Sequence, residues 1–201
     1  MKRRSQYWWW LALQSRWRPV RVLAFDLTGT LYGVNWRQLG TDLWPVLLTS
    51  TDQGSQWLIR DEQFRAAFRG RIDYLHANPH HPGLLIAHGA GQGFLRSEDD
   101  GNTWQRLTLS QTGWSARGYP AVAAAGPAGE IYYATDPSDA GLYRSQDFGQ
   151  TWVNVRQEVG CMSLRPDAPQ VIYASALAGD RVWRSQDGGS TWEDQGAVAP
   201  G

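Results

Sequence analysis

The chain has 201 residues, 42% of them hydrophobic, enough for one good-sized domain or two small ones with a buried core. Nineteen basic residues balance 19 acidic ones, so no net charge draws it to nucleic acid or to an anionic membrane. One cysteine excludes a disulfide framework and a cysteine-based metal site, and no run approaches the roughly 20 apolar residues of a membrane span.

In chain order, residues 1–19 form a Trp- and Arg-rich segment. Met1-Lys-Arg-Arg4 followed by the apolar run Tyr7 to Leu13 is half the pattern of a secretion signal. The run is short, bulky with tryptophan and followed closely by Arg16, Arg18 and Arg21, and no small-x-small cleavage site is visible. It is read as a strand or the remnant of an earlier repeat.

From residue 20 to 201 the chain reads as short strands in groups of four. The first group is Val20–Asp26, Thr30–Val34, Pro45–Ser50 and Gln56–Arg60. A helical turn follows, with Asp61 as its cap, Phe64 and Phe68 on one face and Gly70 at its end. The second group is Ile72–Ala77, Leu84–His88, Gly93–Ser97 and Thr103–Leu107. The third is Tyr119–Ala125, Glu130–Thr135, Gly141–Ser145 and Thr151–Val155, and the fourth Cys161–Arg165, Val171–Ser175, Arg181–Ser185 and Thr191–Asp194. Gly, Pro and Asp punctuate the junctions, as strand boundaries require.

One phrase recurs between the last two strands of every group. Its copies are Ser50-x-Asp52-x-Gly54-x-Gln56-Trp57, Ser97-x-Asp99-x-Gly101-x-Thr103-Trp104, Ser145-x-Asp147-x-Gly149-x-Thr151-Trp152 and Ser185-x-Asp187-x-Gly189-x-Thr191-Trp192. The serines are 47, 48 and 40 residues apart, a period that marks one supersecondary unit copied along the chain. Four-stranded antiparallel units at this spacing predict an all-β propeller of about four blades, approximately 20–60, 72–107, 119–156 and 160–196. The ring they form is small, partial, or completed by oligomerisation.

The phrase resembles the Asp-box, or BNR repeat, of propellers that include sialidases, xyloglucanases, sortilin-type receptor domains and photosystem II assembly factors. Three copies match at every defining position; the first has Gln56 where threonine is expected. The resemblance implies the fold and leaves activity open, because enzymes and non-enzymes share the motif. It also inclines the expected location toward outside the cytoplasm.

Turn chemistry accounts for each box position. The aspartates can accept backbone N–H bonds of their own turns, the glycines permit left-handed backbone, and the tryptophans start the last strand with a large apolar area. Arg96, Arg144 and Arg184 stand before the serine in the last three copies, a further feature of the unit. The box aspartates are therefore read as structural.

Other signals weigh less. Phe25-Asp26-Leu-Thr28-Gly29-Thr30-Leu31 resembles the phosphotransferase loop of haloacid dehalogenase-like enzymes, but no lysine follows position 2 and no helices alternate with the strands; an ordinary turn is expected. His76, His80, His81 and His88 lack the spacing and the completing ligands of a zinc site, so no metal is expected, and no motif calls for a cofactor.

In a propeller the loops opposite the boxes carry function. Trp36, Arg37, His88, Gln92, Trp114 and Arg117 are the candidate ligand-binding residues there, with Arg60 and Asp61 beside them. Inter-blade packing is the competing role for Trp36 and Trp114. The favoured reading is a non-catalytic module that binds a protein, a peptide or a glycan. A glycoside hydrolase is the runner-up, with Asp136, Asp139 and Asp180 as the carboxylates; no arginine cluster of the sialidase kind is found. A third reading is part of a longer propeller. Closure by the Tyr7–Leu13 strand, or a homodimer completing an eight-bladed ring, would remove the open edges.

Overall fold

Alternating apolar and small residues between glycine-rich turns extend into strands, and the chain contains sixteen among the described residues. The computed structural model describes residues 22–39, 42–68, 72–89, 92–107, 121–126, 129, 131–136, 140–165 and 168–197. The expected Tyr7–Leu13 strand, Gly70, Trp114, Arg117 and Asp139 lie outside them.

The strands form four antiparallel sheets, each in simple sequence order. The first holds β1 (Val22–Phe25), β2 (Leu31–Leu39), β3 (Asp42–Ser50) and β4 (Leu58–Arg60). The second holds β5 (Ile72–Ala77), β6 (Leu85–Gly89), β7 (Gly93–Ser97) and β8 (Gln105–Arg106). The third holds β9 (Ala121–Ala125), β10 (Ile131–Asp136), β11 (Gly141–Ser145) and β12 (Val153–Arg156). The fourth holds β13 (Val159–Arg165), β14 (Ala168–Ala176), β15 (Arg181–Ser185) and β16 (Glu193–Ala197). The first strands of successive sheets lie against one another, β1 on β5, β5 on β9 and β9 on β13, as the blades of a propeller do.

Three apolar cores fill the spaces between consecutive sheets. Tyr32, Val34, Trp36 and Leu47 of the first sheet meet Leu75, Ala77, Leu85, Ala87 and Leu95 of the second. Ile86 and Phe94 meet Val122, Tyr132, Ala134 and Tyr143, and Tyr133 and Leu142 meet Val159, Ile172 and Ala174. Each sheet buries a face only against its neighbour, so stability resides in the junctions. Burying one such Leu, Ile or Phe contributes about 1.5–3 kcal/mol.

Two elements depart from the sequence expectation. The first hairpin is longer than expected: β2 and β3 pair without a break from Leu31↔Ser50 to Leu39↔Asp42. Pro45 is carried within β3, opposite Trp36, but past the end of β4, which stops at Arg60 opposite Leu47. There β3 is an edge, where a sheet tolerates proline. The helix α1 (Asp61–Ala67) starts with Arg60 as N-cap and no side-chain capping bond, so Asp61 is its first residue and not its cap. Phe64 and Phe68 do share a face; both are fully buried, with ring centroids 4.7 Å apart, and both meet the Trp104 ring edge-on. The large apolar area of that trio holds so short a helix in place.

Candidate functional site

The four box turns have one geometry. In the second, the Ser97 hydroxyl donates to Asp99 Oδ1 at 2.9 Å and accepts the Gly101 N–H at 2.9 Å. Asp99 Oδ1 also accepts the Thr103 N–H at 2.8 Å, and Oδ2 accepts the Thr103 hydroxyl at 2.7 Å. Trp104 Nε1–H closes the turn on the Gly101 carbonyl at 3.0 Å. Ser145, Asp147, Gly149, Thr151 and Trp152 repeat the set, as do Ser185, Asp187, Gly189, Thr191 and Trp192. In the first box Asp52 accepts from Ser50 Oγ and from the Gln56 N–H, both at 2.8 Å, but Gln56 brings no hydroxyl to its second oxygen. The box glycines all have left-handed φ, and the residue before each has it too: Gln53 at 60°, Asp100 at 57°, Phe148 at 55° and Gly188 at 70°. Only the fourth box puts glycine at both positions.

Donors crowded around a carboxylate favour its charged form. For Asp187 the Thr191 hydroxyl is the largest cause, followed by the Thr191 N–H, and its pKa is held at about 2. Asp147 is pushed up by partial burial, but the bonds from Thr151, Ser145 and Gln150 outweigh this and bring it to about 2. Burial opposes the shift of Asp99 in the same way and is again outweighed, while the Gln56 N–H and the Ser50 hydroxyl lower Asp52. These aspartates sit on four separate turns, each closed on itself.

The second, third and fourth turns are also gripped by the preceding sheet, a role the sequence reading missed. Tyr32 Oη donates to Asp100 Oδ1 at 2.7 Å and Arg60 Nη1 to Asn102 Oδ1 at 2.9 Å, joining the first sheet to the second box. Arg96 Nε donates to the Phe148 carbonyl at 2.7 Å, joining the second sheet to the third box. Arg144 Nη1 donates to the Gly188 carbonyl at 2.7 Å, joining the third to the fourth. Arginine before the box serine was the visible signal; its partner, 44 to 52 residues further on, was not. Asp26, in the phosphotransferase-like stretch, is another turn acceptor: its Oδ1 takes the Thr28 N–H at 2.9 Å, the Thr28 hydroxyl at 2.6 Å and the Thr30 N–H at 3.1 Å.

Antiparallel order puts the β2–β3, β6–β7, β10–β11 and β14–β15 connections at the end away from the boxes. Trp36 and Arg37 lie on β2 near that end, opposite Pro45 and Trp44; Trp36 is buried in the core between the first two sheets. His88 is buried at the end of β6, with its ring 4.7 Å from that of Phe94. Gln92 turns β6 into β7, its N–H donating to the Gly89 carbonyl and its carbonyl accepting Arg106 Nη1 at 2.6 Å. Asp136 ends β10 opposite Gly141, and Asp180 is exposed in the β14–β15 turn. Asp61 opens α1, whereas Arg60 reaches back to the second box and away from this end. The turn at His80 and His81 is closed by Asn78 Oδ1, which accepts both N–H groups. Among the described residues no three His, Cys, Asp or Glu side chains converge as metal ligands, and no helix is long and apolar enough to cross a membrane.

A family model described as the BNR-Asp box repeat matches residues 142–155, the third box and its flanking strands. No curated protein matches the chain. Among solved structures it is similar to the GH74 enzyme of Niastella koreensis, at a TM-score of 0.64 and 19% identity over 87% of this chain and 30% of that one. It is also similar to YCF48 from Cyanidioschyzon merolae, at 0.55 and 18% over 92% and 61%, and to the GH74 xyloglucanase from Xanthomonas campestris, at 0.52 and 18% over 87% and 38%. The chain thus spans between 30% and 61% of the length of these structures. At such identities the likeness is one of fold. Motif and fold together make this a chain that resembles the BNR/Asp-box propellers.

Proposed function

We propose that this chain is a non-catalytic Asp-box interaction module that holds a protein, a peptide or a glycan at the end of its sheets opposite the box turns. The observation that carries this reading is geometric: the four repeated aspartates are closed into four separate turns by the serine hydroxyl and the N–H groups of their own boxes. Asp52, Glu98, Asp99, Asp147, Asp187 and Asp194 all have lowered pKa values, held as anions by hydroxyls, N–H groups or arginine. A glycosidase needs one carboxyl raised to act as acid, beside a second that stays charged. The four repeated aspartates are committed to turns, which leaves the loops at the far end, around Gln92, Arg117, Trp114, Asp136, Asp139 and Asp180, for recognition. The ring completed by a second copy of the chain belongs to the same reading.

A glycan and peptide array probed with the purified full chain, run beside a panel of aryl glycosides, tests it. Binding without turnover is expected, with affinity reduced severalfold by Gln92→Ala or Asp180→Ala and unchanged by Asp147→Asn. Turnover that disappears in Asp136→Asn or Asp180→Asn would replace this reading with that of a glycoside hydrolase.

A further inference from the structure

Junctions between sheets follow one plan, and the last sheet carries its half of that plan unmatched. Tyr32, Ile86, Tyr133 and Tyr173 occupy the same place on the second strand of each sheet, opposite Thr49, Arg96, Arg144 and Arg184 respectively. Tyr32 and Ile86 are 0% exposed and Tyr133 is 1% exposed, because the next sheet lies on them, whereas Tyr173 is 39% exposed.

Arg184 holds the posture of Arg96. In Arg96 the Nη2 donates to Glu98, two residues on, and the Nε donates to the Phe148 carbonyl of the next box. In Arg184 the Nη2 donates to Gln186 Oε1, also two residues on, at 3.1 Å, but the Nε is buried within the chain without a partner. Cys161 and Ser163 stand on the same face, opposite Ser175 and Tyr173, and both are exposed. Thr135, which holds the place of Ser175 in the third sheet, is buried.

The first sheet offers the complementary half. A Cβ placed on Gly149 or Gly189 would meet Ile86 of the second sheet at 3.2 Å or Val155 of the third at 2.9 Å, and on Gly101 it would meet Leu47 of the first. On Gly54 its nearest neighbours among the described residues would be Leu31 and Trp57, which belong to the same repeat. Asp52 and Gln53 are exposed, and Gln53 has the left-handed φ of 60° that Phe148, at 55°, has when its carbonyl takes Arg96.

We propose that the face of the fourth sheet around Tyr173 and Arg184 docks the first box turn, Ser50–Trp57, of a second copy of this chain. The inference deepens the reading of a ring completed by a second copy and names its junction. The contact is heterologous, yet two identical junctions close a pair of chains into a ring of eight sheets with twofold symmetry. The occupant is a second copy because the receiving face repeats a junction this chain already makes twice. The box it lacks is the one box that no preceding sheet holds among the described residues.

Sedimentation velocity on the full chain, with alkylation of Cys161 as a probe of the face, tests the junction. The expected mass is twice the 22.6 kDa of one chain. Alkylation should slow severalfold as the chain concentration rises, and Arg184→Glu should return a single-chain mass with rapid alkylation and an unchanged circular dichroism spectrum. In a Cys161→Ser background, oxidation of a chain carrying Gln53→Cys and Tyr173→Cys should link two chains. A single-chain mass at every concentration, a crosslink within one chain, or a dimer that survives Arg184→Glu with Cys161 still reactive would each overturn the proposal. Ligand binding on the arrays is a separate readout, so a monomer that binds, or a dimer that does not, tells the two readings apart.

Discussion

At the scale of the residue, the box aspartate is a local device. Its acceptors reach N–H and hydroxyl groups no more than four residues ahead, so these bonds draw on no other part of the chain. The depressed pKa values of Asp147 and Asp187, at about 2 against about 3.9 in an unfolded chain, carry a consequence for stability. Between those two values the unfolded chain binds more protons than the folded one. The contribution of these groups is therefore complete above about pH 4 and is lost as pH falls toward about 2. Thermal unfolding followed from pH 5 down to 2 should show the midpoint falling in that window, and Asp147→Asn should flatten the fall.

At the scale of the element, the junction and not the sheet is the unit of stability. Arg144 ties the third sheet to the Gly188 carbonyl, and its loss leaves that acceptor without a donor. Arg144→Ala should cost about 1–3 kcal/mol in urea unfolding. Arg184→Ala, the same change one repeat later, should leave the unfolding of the single chain nearly untouched. Much of this scale was legible in the sequence. The box spacing located the β3–β4 type turns and hence all four sheets, because those turns are stapled within eight residues. The length of the β2–β3 hairpin was not, since Pro45 reads locally as a strand boundary and only its place beyond β4 makes it harmless. The clamps from Arg96 and Arg144 were half legible: arginine recurs before the serine, but the carbonyl it seeks lies on another repeat. At the end opposite the boxes no periodic signal exists, because the connecting loops differ from sheet to sheet, and Trp36 drew attention there through side-chain type alone although β2 carries it into the core.

At the scale of the whole molecule, one turn recurs four times and in its last three copies links sheet to sheet, and the two ends of the series differ in what they leave uncovered. Tyr173 at one end, 39% exposed, and Gly54 at the other, half-buried, are the counterparts of residues buried at every internal junction. Chemistry, on this account, is absent from the box end altogether. Carboxyl-carbon NMR titration of Asp52, Asp99, Asp147 and Asp187 in the full chain tests that most directly. All four should titrate below the ordinary aspartate range, with Asp147 and Asp187 at about 2. A midpoint raised above about 5 at any of them, as a general acid requires, would contradict the account.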